Sequence, residues 1–155
     1  MIDRSVIGKQ SAPGTITLEA ASMREFARSL GETDPLYLDS DAAKAAGYAD
    51  ILATPTYPIA FMADSMDADL FFELGLAIPT IVHGEQEFEY FAPMVAGQTL
   101  SVTGKVADVW EKIGSTGALD FVVLEATAKD VSGEVVYVSR ITLIGKQMPP
   151  EEEES

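Results

Sequence analysis

The second half of the chain leaves little freedom. From Thr80 to Gly145 four segments alternate apolar and polar residues, and glycine-bearing turns separate them. Such an alternation puts its apolar set on one face only if the chain is extended. Thr80–Phe91 (T-I-V-H-G-E-Q-E-F-E-Y-F) sets Glu85, Glu87 and Glu89 against Gln86, Phe88 and Tyr90, the pattern of a half-buried strand. A turn follows at Ala92–Gln98, with Pro93 and Gly97. Thr99–Ile113 carries Leu100, Val102, Gly104, Val106 and Asp108 in one phase. Gly114–Gly117 and Val131–Gly133 then bound two further strands, Ala118–Asp130 and Glu134–Gly145.

The first half has the other period. Residues 1–14 form a mixed entry segment, and Thr15–Leu18 suits a short strand that can join the sheet. Ala20, Met23, Phe26, Ala27 and Leu30 predict a helix over Glu19–Leu30, ended by Gly31. Asp39 or Ser40 caps a short helix through Ala46, stopped by Gly47. A longer helix is predicted from Pro55–Pro58 to about Leu74, with Ile59, Met62, Met66, Leu70 and Leu74 on one side. The expected class is α+β, with a long central helix wrapped by a curved antiparallel sheet of about five strands. Residues 1–148 read as a single domain and 149–155, with four consecutive Glu, as an acidic disordered tail. A single sheet of this kind leaves one edge in need of a partner, so a dimer is expected.

Composition narrows the function. Asp and Glu number 25 against 10 Lys and Arg among 155 residues, for a net charge of -15. That field repels phosphate backbones and anionic lipid, so neither nucleic acid nor membrane is an expected partner. There is no Cys, which excludes disulfides, thiol catalysis and thiolate metal sites. Met1–Thr17 lacks the apolar core of a signal peptide, and no apolar run approaches the roughly 20 residues of a membrane span. A cytoplasmic protein is the expectation. Asp64, Asp67 and Asp69 spread around a helix without a nearby His and read as a solvated face, so no metal or cofactor is expected.

Three segments carry more specific information. They are Glu32-Thr33-Asp34-Pro35-Leu36-Tyr37-Leu38-Asp39, then Gly47-Tyr48-Ala49-Asp50-Ile51-Leu52-Ala53-Thr54-Pro55-Thr56-Tyr57, and His83-Gly84-Glu85-Gln86-Glu87-Phe88-Glu89. Pro93-Met94-Val95-Ala96-Gly97-Gln98-Thr99-Leu100 follows. In this order they resemble the MaoC-like dehydratase family, in its N-terminal-half type, over roughly residues 3 to 145. The resemblance implies a hot-dog fold and pairing of two such units. It also implies lyase chemistry of fatty acid metabolism, the hydration or dehydration of an acyl thioester.

Competent members, the R-specific enoyl-thioester hydratases, hold a water between the Asp and His of a D-x-N-P-x-H-x-D segment. Laid on this chain, the Asp position is Glu32, the Asn position Asp34 and the His position Tyr37. A phenol with a reference pKa near 10 is no base near pH 7. An Ala-His-Gly segment supplies a Gly N–H to polarise the thioester carbonyl; here it is Ala53-Thr54-Pro55, and Pro55 has no N–H. No confident catalytic residue remains, and His83, the one histidine, is an outside candidate should it face a cleft near Glu32 or Asp34. Pro55, Thr56, Tyr57, Phe61 and Gly84 are the candidate substrate-binding residues, with Phe71, Phe72 and Leu74 as further channel candidates. The resemblance therefore implies a non-catalytic subunit of an (R)-3-hydroxyacyl-thioester dehydratase. Its substrate would ride on coenzyme A or acyl carrier protein, and a MaoC-like partner chain would supply the catalytic Asp and His. A homodimeric acyl-thioester binding protein, or a thioesterase, stands beside it as the alternative.

Overall fold

The computed structural model describes residues 2–61, 68–114 and 117–146, with only the backbone of Phe61, Ala68, Asp69 and Phe71. Five strands form one antiparallel sheet: β1 (Gly14–Thr17), β2 (Val82–Tyr90), β3 (Thr99–Gly114), β4 (Gly117–Lys129) and β5 (Val135–Gly145). Their order is β1-β3-β4-β5-β2. The three consecutive strands β3, β4 and β5 are joined by short turns and sit side by side, as sequential antiparallel strands do. β2 precedes them in the chain yet pairs with the last of them, which makes it an edge.

One face of the sheet is apolar and is covered by the helical first half. Leu100, Val102, Val106 and Val109 of β3 are buried there with Val122 and Leu124 of β4 and Val136, Ile141 and Leu143 of β5. The sequence phase that leads from Val106 to Asp108 breaks. Val106 pairs with Leu124 and Asp108 with Val123, so Ala107 is an extra residue in β3. A one-residue bulge moves every following side chain to the other face. Val109 is therefore buried, while Asp108 turns outward and its Oδ1 accepts the Val109 N–H at 2.8 Å.

α1 (Ala20–Ser29) buries Met23 and Ala27. Leu30, expected on the same stripe, is more than half exposed, because the helix has ended at Ser29 and Leu30 is the C-cap that leads into Gly31. Gly31 has φ +74, a left-handed conformation that suits glycine. α2 (Ser40–Ala45) is capped by Asp39, whose Oδ1 accepts the N–H groups of Asp41 and Ala42. The predicted long helix is helical at both described ends, a 3-10 turn at Tyr57–Phe61 and α3 (Ala68–Glu73). Its middle, with Met62, Asp64, Met66 and Asp67, lies outside the described residues, as do the acidic tail and the two central residues of the Gly114–Gly117 turn.

The buried side chains fall into two clusters. Leu18, Met23, Ala43, Ile51, Tyr57, Met94, Leu100, Val102 and Tyr137 gather beneath α1 and α2. Ile2, Val6, Leu74, Leu76, Val106, Val109, Val122, Leu124, Ile141 and Leu143 gather at the other end of the sheet.

Candidate functional site

The Glu32–Asp39 segment spends its carboxylates on its own backbone. Glu32 Oε1 accepts the N–H groups of Thr33 and Asp34 at 2.8 and 2.9 Å. Asp34 Oδ1 accepts the Leu36 N–H at 2.9 Å and caps a 3-10 turn over Pro35–Tyr37. These short-range bonds, together with Pro35, fix the turn and carry Tyr37 to its end.

Tyr37 lies in a groove of about 360 Å³ with Leu52, Ala53, Pro55, Tyr90, Phe91, Ala92, Pro93 and Met94. Two long-range contacts build it: Leu52 forms an isolated bridge with Val95, and the Ala53 N–H reaches the Met94 carbonyl at 2.9 Å. They hold the 52–55 loop against the turn after β2. The Tyr90 hydroxyl donates to the Pro55 carbonyl across the groove. Burial raises the Tyr90 hydroxyl pKa to about 12. Burial also raises that of Tyr37, and the charges of Asp34 and Glu32 add to it. Both phenols are therefore protonated near neutral pH and are not bases; Tyr90 already acts as a donor. Pro55 offers the groove a carbonyl, already engaged, and no N–H.

The remaining sequence candidates are dispersed. Thr56 is exposed beside Pro55 and does not line the groove. Tyr57 is buried in the core, with its ring edge-on to Phe26 at a centroid distance of 5.4 Å. Leu74 is core, whereas Phe72 is largely exposed. The side chains of Phe61 and Phe71 lie outside the described residues. Gly84 sits at a bulge between His83 and Glu85, on the outer edge of the sheet. His83 is exposed opposite Leu143, at the far end of β2 from Tyr90. Seven positions along a strand amount to about 20 Å. The groove lining includes neither His83, Glu32 nor Asp34. Tyr90, Phe91, Pro93 and Met94 were not expected there; the aromatic pair ending a strand just before a Pro-containing turn is the sequence signal that marks them. Among the described residues no group of His, Asp and Glu is placed to hold a metal ion, and no helix is long and apolar enough to cross a membrane.

Comparison with known proteins fits this geometry. The family model of the FAS1-like dehydratase domain region matches residues 5–138. A UPF0336 protein from Saccharopolyspora erythraea is 35% identical over 148 residues, covering 94% of this chain and 92% of the relative. A crystal structure of C-terminally truncated HadBC, a 3R-hydroxyacyl-ACP dehydratase complex from Mycobacterium tuberculosis, is similar with a TM-score of 0.78 and 26% identity, covering 90% of this chain and 97% of that one. The R-hydratase PhaJ1 from Pseudomonas aeruginosa shares the fold, with a TM-score of 0.67 at 17% identity over 94% of this chain and 91% of its own. The chain belongs to the FAS1-like dehydratase-region family, the MaoC-like hot-dog proteins, together with its UPF0336 relatives.

Proposed function

We propose that this chain is the non-catalytic, substrate-channel subunit of a MaoC-like (R)-3-hydroxyacyl-thioester dehydratase, and that a partner chain supplies the catalytic Asp and His. One observation carries the reading. Where competent relatives place a basic imidazole and a backbone donor, the groove presents two protonated phenols and the engaged carbonyl of Pro55. An apolar groove with polar atoms at one point suits an acyl chain better than it suits acid/base chemistry. The likeness to HadBC, a complex of dehydratase chains, supports a partner and a hydroxyacyl thioester as the substrate class.

The test is co-expression with a short chain bearing D-x-N-P-x-H, followed by crotonyl-thioester hydration assays of each chain and of the mixture. The pure chain is expected to fall at least about 10²-fold below the mixture, the usual contribution of one acid/base group. Turnover by the pure chain within about tenfold of a competent hydratase overturns the reading. Tyr37→His with Glu32→Asp is expected to leave the pure chain inactive. The missing donor at Pro55 alone is worth about 10²–10³-fold. Strong rescue by those two changes would place the oxyanion site elsewhere.

A further inference from the structure

The two phenols of the groove differ in one respect. The Tyr90 hydroxyl donates to the Pro55 carbonyl, so its hydrogen is taken. The Tyr37 hydroxyl makes no hydrogen bond among the described residues. Glu32 Oε1 and Asp34 Oδ1, close by in the chain, accept backbone N–H groups instead. Leu52, Ala53, Phe91 and Met94 surround the two phenols with apolar side chains, and among the described residues no Lys, Arg or His lines the groove.

This free O–H makes a demand on whatever fills the groove. Tyr37 is half-buried in the empty groove, where water satisfies its hydroxyl. A plain alkyl chain seated against it strips that water and returns nothing, and a donor left unpaired bears the full cost of its desolvation. A chain with an oxygen at that level returns the bond, and a site of this kind discriminates against the analogue that lacks it. Charge decides which oxygen. The charges of Asp34 and Glu32 reach the Tyr37 hydroxyl, and no cation of the lining offsets them, so a carboxylate or phosphate is repelled. An ammonium suits the field but has no lone pair to accept the phenol hydrogen. A neutral carbonyl or hydroxyl oxygen meets both conditions.

We propose that Tyr37 is a specificity-determining residue of the groove, and that its free O–H selects a neutral keto or hydroxyl oxygen within the chain of the ligand, so that the ligand class is an oxygenated acyl chain. The proposal rests on the subunit reading above, which assigns the thioester itself to the partner's catalytic site, and it adds what this groove requires of the rest of the chain.

Isothermal titration of the pure chain with methyl decanoate and with its 5-, 7- and 9-oxo analogues is the test. The four ligands share an uncharged ester and differ only in a ketone placed at different depths. At least one oxo analogue should bind wild type about tenfold or more tighter than methyl decanoate, and Tyr37→Phe should abolish that advantage without weakening methyl decanoate. Equal affinity of wild type for all four, no binding of any, or an advantage that survives Tyr37→Phe overturns the proposal. A loss of methyl decanoate binding in Tyr37→Phe as large as that of the oxo analogue also overturns it, because the ester carbonyl would then be the group at Tyr37. Circular dichroism checks that Tyr37→Phe folds; if it does not, the wild-type comparison decides alone, with tenfold preference for a ketone supporting the proposal and parity overturning it. The readout is binding, so a ketone preference without turnover in any mixture of chains would remove the subunit reading and leave the role of Tyr37 standing, and turnover without such a preference would do the reverse.

Discussion

The two edges of the sheet are finished in opposite ways. β1 covers β3 only from Thr99 to Val102. Beyond it, residues outside any strand continue the coverage, with one isolated bridge between Gln10 and Lys105. Ser11 N–H reaches the Gly104 carbonyl at 2.9 Å, and Ser11 Oγ accepts the Gly104 N–H at 2.9 Å. Gly8 N–H reaches the Val106 carbonyl at 2.8 Å, the Val106 N–H donates to Lys9, and Arg4 Nη1 reaches the Val109 carbonyl at 2.8 Å. The entry segment is thus a dressing for one edge, tied down by buried Ile2 and Val6. Among the described residues the β2 edge has no such dressing, and it carries a row of carboxylates instead. An edge closed from within needs no partner, and an edge guarded by charge resists indiscriminate pairing.

If the first edge is closed by the chain itself, loosening its dressing should cost much. Ile2→Ala with Val6→Ala removes two fully packed side chains and frees the segment over β3. The expected loss is about 4 kcal/mol, from the range for aliphatic truncation in cores. Urea denaturation measures it, and a loss below about 1 kcal/mol would show that residues 2–11 merely rest on the sheet. Ser11→Ala is the local version. Ser11 is 6% exposed, and its hydroxyl is the acceptor for the Gly104 N–H. Leaving that buried donor without an acceptor should cost about 1–3 kcal/mol. A neutral result would mean that water replaces the hydroxyl.

This closed edge was not legible in the sequence, and the reason is physical. Residues 2–13 are held to the sheet mainly through backbone groups, with the Ser11 hydroxyl and the Arg4 guanidinium, which leaves no period to read. The strands β3, β4 and β5 were legible to within about a residue, because half-burial imposes alternation. The alternation hid one thing, the bulge at Ala107, since Ala fits either phase. For the groove, the resemblance singled out Tyr37 and Pro55 from aligned motifs. Tyr90, Phe91, Pro93 and Met94 join them only through the Leu52–Val95 and Ala53–Met94 contacts, about forty residues apart in sequence, which no local pattern encodes.

The open edge is joined to the sheet by charge as well as by backbone. Lys105, Glu125, Arg140 and Glu87 form a ladder across β3, β4, β5 and β2, with contacts of 2.7, 2.8 and 3.2 Å. The hydrogen bond from Lys105, and then Arg140, holds the Glu125 carboxyl below its ordinary range, against a smaller opposing effect of burial. A lowered carboxyl pKa gives stability that is present above the ordinary value near 4.5 and is lost as pH falls through the folded value. Glu125→Gln should therefore cost about 1 kcal/mol at pH 7, since both cations are partly solvated. The variant should also flatten the acid limb of a stability–pH profile below about pH 4.5. An unchanged acid limb would assign acid sensitivity to other carboxylates.

The smallest expected effect tests whether the open edge can give. A Cβ on Gly84 would lie 2.8 Å from Ile144 Cδ1, 3.2 Å from Ile144 Cγ1 and 3.2 Å from the Thr142 carbonyl. The methyl end of Ile144 can rotate away, but the carbonyl belongs to β5 and cannot. The strand itself has to move outward by a few tenths of an ångström. In the free chain β2 has no strand beyond it among the described residues, so the movement meets little resistance. Gly84→Ala should cost below about 1 kcal/mol in thermal unfolding, under the usual range for overpacking a closed core. A loss above about 2 kcal/mol in the free chain would show that β2 is already held as rigidly as the dressed edge, and the contrast between the two edges would then rest on charge alone.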